Sequence, residues 1–170
     1  MSCAVILVGC EVPTSLELTN GPSFLLNGSG RLASFTIYSP QAGHRIATPN
    51  DADSEIWSIQ AIGFAERLMV AHMNVRYGSV PPGYKQTTPA SGNPPALGTG
   101  FVYYFLAETT GAQGVEGFFY VSKAGPTRIN VPDLCPSGFV GDVKPIKCAT
   151  HEPYIEPKDI EQLVRDNTMK

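Results

Sequence analysis

Charge is what this 170-residue chain has least of. Asp, Glu, Lys and Arg make up only 16% of it, against about a quarter in an ordinary globular domain. The 12 basic residues form no cluster and are outnumbered by 15 acidic ones, so the electrostatic footprint of nucleic-acid binding is missing. No apolar run reaches the roughly 18 residues that a membrane-spanning helix needs. The chain has no Walker-type phosphate loop, no G-x-S-x-G elbow and no C-x-x-C pair, which removes the usual signatures of nucleotide hydrolysis, serine-nucleophile catalysis and structural zinc.

What the chain has in quantity is punctuation. Its 17 glycines and 15 prolines are close to a fifth of the residues, where about 12% is usual. They are spread along the whole length, as many short strands joined by turns require. The apolar fraction of 42% is ordinary, and a chain of this length can bury a core without help from metals or disulfides. One domain is expected, with the chain divided as 1–22, 23–150 and 151–170.

Between the turns, apolar and polar residues alternate. In RLASFTIYS (31–39), Ala33, Phe35 and Ile37 share a face; in SEIWSIQAI (54–62), Trp57, Ile59 and Ala61 do. ERLMVAHMNVRYG (66–78) groups Met69, Ala71, Met73, Val75 and Tyr77. FVYYFLAET (101–109) and VEGFFYVSK (115–123) are apolar on both faces, and TRINV (127–131) is a last candidate strand. Residues 11–22 read as a tether or a first edge. Period-two alternation between Gly/Pro turns predicts an all-β fold, an antiparallel sandwich of about seven strands. In EPKDIEQLVRDNTMK (156–170), Ile160, Leu163 and Val164 form one apolar stripe, predicting a short C-terminal helix that must dock on something to be stable.

The stretch LGTGFVY (97–103) is similar to the L-x-P-G-T-x-Y turn of fibronectin type III domains, with Leu97 and Tyr103 at the same six-residue offset. The resemblance covers seven residues and implies an immunoglobulin-like topology, with no function attached.

The opening residues admit two readings. CAVILVG (3–9) followed by Cys10 can be a buried strand with free thiols at Cys3 and Cys10. Alternatively Leu7-Val8-Gly9-Cys10 resembles the lipobox of small bacterial lipoproteins at every position. That resemblance implies a lipid on Cys10, loss of residues 1–9, and an anchor in the bacterial cell envelope, with the outer membrane a first guess and secretion the variant. The first basic residue is Arg31, so a signal of normal length would begin upstream. If the chain is exported, Cys135 and Cys148 are spaced to close a disulfide loop worth about 3 kcal/mol.

Candidate chemistry is sparse. GSGRLA (28–33) fits a dinucleotide pattern only formally, since it leads into a strand, and reads as a hairpin turn. The acidic run Asn50–Glu55 has Ile56 where a calcium loop needs glycine, and reads as a solvated turn. Cys148 and His151 lack the partners of a zinc site or a nucleophile pair. Glu108 and Glu116 flank one turn as a rim carboxylate pair. No catalytic set, metal or cofactor is expected from these. Tyr103, Tyr104 and Phe105 face Phe118, Phe119 and Tyr120 across the same turn; half should point inward. The rest, with Tyr84, form a candidate binding surface of Tyr84, Tyr104, Phe118 and Tyr120, unless a helix covers it. The 78–100 segment holds five prolines and five glycines and reads as a long connection, either a packed sheet crossing or a functional loop. The expectation is a non-enzymatic binding or structural module with a protein or glycan partner in the envelope, touching membrane through its lipid only. An envelope enzyme acting on glycans or peptides is the alternative, and a cytosolic interaction domain follows if the N-terminus is a true strand.

Overall fold

The computed structural model describes residues 11–19, 21–44, 46–47, 52–129 and 162. Among them are nine strands: β1 (Ser15–Thr19), β2 (Ser23–Asn27), β3 (Arg31–Tyr38), β4 (Glu55–Ala61), β5 (Met73–Arg76), β6 (Tyr84–Thr88), β7 (Phe101–Thr110), β8 (Val115–Ser122) and β9 (Gly125–Ile129). All ladders between them are antiparallel. They form a three-stranded sheet, β1-β2-β5, and a six-stranded sheet, β6-β4-β3-β7-β8-β9. Lipobox, disulfide cysteines and C-terminal stripe lie outside the described residues, Gln162 excepted.

One apolar core joins the sheets. Leu16, Phe24, Leu26 and Val75 of the smaller sheet cluster with Phe35, Trp57, Phe105 and Phe119 of the larger one. Phe24 is the central contact, with ring centroids 4.9 Å from Phe35 and 5.4 Å from Phe119. Alternation explains the arrangement: side chains two apart on a strand share a face. Phe35 and Ile37, Trp57 and Ile59, and Phe105 and Ala107 all turn inward together. The fold is therefore sandwich-like and all-β.

The strand directions define two poles. The turns after β2 and β7, with the connection from Ile62 to His72, lie at one; the turns after β1 and β8, with residues 93–97, lie at the other. At the first pole Val12 exchanges hydrogen bonds with Ser29, Thr14 N–H donates to the Gln113 carbonyl, and Val70 N–H to that of Gly30.

Three expectations change, and of the two readings of residues 11–22 the first-edge one holds. The segment 66–78 is a strand only over Met73–Arg76. His72 adopts a left-handed φ of 58°, which breaks the extended run, and Met69 and Ala71 are exposed. The 78–100 segment contains a strand after all, since Tyr84–Thr88 pairs with β4. Residues 11–22 supply an edge strand, β1. The turn at 28–30 does not close a hairpin, because β2 and β3 belong to different sheets.

Candidate functional site

A cavity of about 440 Å³ opens at the second pole, within the size range of small-molecule and side-chain pockets. Four prolines line it: Pro22 from the β1–β2 turn, Pro94 and Pro95 from the 78–100 segment, and Pro126 at the start of β9. The Tyr77 ring, Leu97 and Val121 complete the apolar wall, and Asn93 is its polar side chain. Prolines and an aromatic ring make rigid, flat walls that lose little entropy when a ligand seats on them.

The loop forming this cavity is pinned at three points. Gln86 on β6 donates through Nε2 to the carbonyls of Pro89 (2.8 Å) and Gly92 (2.9 Å), while its Oε1 accepts from Trp57 Nε1 at 3.2 Å. The Tyr77 hydroxyl donates to the Pro95 carbonyl at 2.7 Å. The Gly98 N–H donates to the Tyr103 hydroxyl at 2.7 Å. Tyr77 also packs edge-on against Trp57 at 5.3 Å. The pocket is thus built on core residues and preformed, so binding there would not have to order the loop first. Burial raises the Tyr77 phenol well above its ordinary value, and the Tyr103 phenol beside it adds to the rise. Tyr77 is a neutral hydrogen-bond donor here, not a proton acceptor.

The four residues expected as a binding surface fare differently. Tyr84, Tyr104 and Phe118 are buried, and Tyr120 is half-buried. Tyr84 belongs to the intersheet core and its hydroxyl donates to the Leu32 carbonyl at 2.7 Å. The outward half of the aromatic hairpin falls as alternation demands, with Tyr104 opposite Phe118 and Val102 opposite Tyr120. Yet Tyr104 and Phe118 pack with Tyr38, Ile46, Ala47 and Ile129 in a second buried cluster. They make no open aromatic strip. The connection carrying Ile46 and Ala47 runs onto this face, through an isolated bridge from Ile46 to Val102.

No family model, curated protein or solved structure matches this chain. The arrangement of residues must carry the functional reading alone.

For the carboxylates that arrangement is simple. β7 and β8 form the expected hairpin, and Glu108 and Glu116 lie on one face of it. Each accepts a hydrogen bond from a hydroxyl, Ser34 for Glu108 and Tyr104 for Glu116. Among the described residues no three His, Cys, Asp or Glu side chains gather as metal ligands would. Sequence reasoning singled out the 78–100 segment but missed Pro22, Tyr77, Val121 and Pro126, which reach the cavity from three other parts of the chain. The Pro-Pro and Gly-Pro pairs (94–95, 21–22, 125–126) were the available signal.

Proposed function

We propose that the chain is a non-enzymatic module of the bacterial cell envelope, lipid-anchored through Cys10, that binds a protein or glycan partner at its proline-lined pocket. The observation that carries this reading is the preformed cavity at the pole opposite Val12. Anchoring at Cys10 puts the attachment point at one end and the pocket at the other, facing away from the membrane. The few polar groups in the wall suit an apolar side chain of a peptide, proline above all, or the apolar face of a sugar ring. Disulfide closure between Cys135 and Cys148 belongs to the same exported setting.

The immunoglobulin-like topology is also part of this proposal, and two features support it. The order β1-β2-β5 corresponds to strands A-B-E, and β4-β3-β7-β8 to C′-C-F-G, with β6 and β9 as added edges. The bond from Gly98 to the Tyr103 hydroxyl near the start of β7 corresponds to the tyrosine corner at the start of strand F.

Titration of labelled protein with proline-rich peptides and with oligosaccharides, followed by NMR, tests the pocket. Shifts confined to Tyr77, Asn93 and Leu97 are expected, and are to vanish in Leu97→Arg. Shifts elsewhere, or none with either class, would remove the pocket from the proposal. Fatty-acid labelling that persists in Cys10→Ala would remove the anchor.

A further inference from the structure

The described chain exposes large apolar side chains mainly at one place, the connection between β4 and β5. Ile62 and Phe64 are 65% and 69% exposed, and Leu68 and Met69 are 40% and 45%. Soluble surfaces carry single exposed apolar residues routinely, but four within eight residues of one loop are a patch. The loop is fixed and well defined. Ile62 N–H donates to the Gly83 carbonyl, Leu32 N–H to that of Leu68, and Arg31 Nη1 to that of Arg67. The Arg67 guanidinium lies over the Phe64 ring, 5.0 Å from its centroid.

The patch has a defined place in the fold. It stands at the same pole as Val12, itself 57% exposed and bonded to Ser29 in the turn that leads into β3. Chain connectivity keeps Cys10 within about 7 Å of Val12. With Cys10 lipidated as proposed, the bilayer lies against this pole, while the proline-lined pocket is at the far end. An exposed aromatic ring with aliphatic neighbours is a composition that partitions into a membrane interface; the exposed Glu66 stands among them, and the Arg67 guanidinium is folded over the Phe64 ring with Nη1 donating to Thr110 Oγ1 at 3.2 Å.

We propose that the Ile62–Met69 loop is a membrane-contact face, seated in the interfacial layer of a lipid bilayer. It acts as a second, non-covalent attachment beside the lipid on Cys10 and orients the pocket away from the membrane. The inference rests on the proposed anchoring for its orientation, but the loop's affinity for lipid is a property of the loop alone.

The test uses the full chain carrying Cys10→Ser, so that no lipid is attached, mixed with phosphatidylethanolamine–phosphatidylglycerol vesicles at millimolar lipid. Trp57 is the one native tryptophan and is fully buried. Phe64→Trp then reports the loop after subtraction of the parent spectrum, and Lys123→Trp, on the exposed turn at the opposite pole, is the control. Vesicles are expected to shift Phe64→Trp emission to the blue, brominated acyl chains to quench it, and Lys123→Trp to stay unchanged. Leu68→Ser with Met69→Ser, both exposed and tolerable to the fold, is expected to weaken partitioning on the order of tenfold or more. A spectrum unmoved by lipid overturns the proposal, as does a blue shift that grows with protein concentration in the absence of vesicles, which would assign the loop to a second copy of the chain. Fatty-acid labelling of the native chain is read separately. Labelling at Cys10 with an indifferent loop removes this inference and leaves the anchor; an inserting loop with no labelling does the reverse.

Discussion

The Tyr77 hydroxyl donates to the Pro95 carbonyl oxygen at 2.7 Å, tying the end of β5 to the loop that walls the pocket. Removing that oxygen keeps the ring and its edge contact with Trp57 but frees residues 94–97. Tyr77→Phe is expected to lower stability by about 1 kcal/mol, the net value of one such bond. It should also raise amide exchange at Ala96 and Leu97. Urea denaturation and hydrogen exchange check both. Unchanged exchange would mean that Gln86 and Tyr103 hold the loop without it.

The Tyr103 hydroxyl receives the Gly98 N–H where the chain enters β7, and its ring stacks on Phe119 at 5.4 Å. In Tyr103→Phe the part-buried Gly98 amide loses its acceptor, which costs more than the bond itself contributed wherever water does not replace it. A loss of about 1–3 kcal/mol is expected by chemical denaturation. A larger loss than in Tyr77→Phe is the discriminating result, because Tyr103 is buried in the core and Tyr77 is only half-buried.

Phe24 carries the contact between sheets. It touches Phe35, Phe105 and Phe119 and is fully buried. Phe24→Leu keeps most of the volume and should cost about 1–2 kcal/mol, with the fold intact by circular dichroism. Phe24→Ala should cost about 3–5 kcal/mol. A cost below about 1 kcal/mol for the alanine variant would mean that the two sheets do not share this core.

Gly114 ends the β7–β8 turn with its Cα against β7. A Cβ there would stand 2.4 Å from the Ala107 carbonyl oxygen, a distance that backbone atoms cannot relieve by rotation. Gly114→Ala is expected to destabilise by about 1–3 kcal/mol, whereas the same change at Gly111, which has open space but a φ of 80°, should cost about 1 kcal/mol from backbone strain alone. Thermal denaturation of the pair separates the two causes.

The strands most visible in the chain were those with strict alternation or continuous apolar character. β3, β4, β7 and β8 appear within a residue or two of their expected limits, and the aromatic hairpin has the expected pairing. β2 was overlooked because SFLLN is short and mostly apolar, with too little alternation to mark a period. Its turn signal was nonetheless present, since Asn20-Gly21 between strand-like runs is the strongest short hairpin cue. β6 was hidden by composition. Lys85, Gln86, Thr87 and Thr88 look like loop, and only pairing with β4 makes them a strand. The pocket was legible in one wall only, because local pattern says nothing of which distant turns meet. Tyr104 and Phe118 were placed on the correct face, expected to be open or covered by a C-terminal helix, and nothing in either strand announces that the connection through Ile46 and Ala47 packs there.

The phenols set a pH limit whose sign follows from their burial. Tyr77, Tyr103, Tyr84 and Tyr38 all hold their protons past the ordinary value of about 10, each chiefly because folding withdraws it from water. In the unfolded chain the same groups titrate near 10, so above that pH the native state binds more protons than the unfolded one. Stability must then fall as pH rises, whereas below about 10 both states are protonated and the contribution is complete. A flat stability between pH 7 and 9 is expected, followed by a steep loss above 10. Tyrosinate absorbance should appear later in native protein than in urea-unfolded protein. Tyr77→Phe and Tyr103→Phe should each make the alkaline decline shallower, because each removes one group with a raised native value. A native absorbance curve that overlays the unfolded one would show that these hydroxyls are open to water, and with them the loop that Tyr77 and Tyr103 are held to fasten.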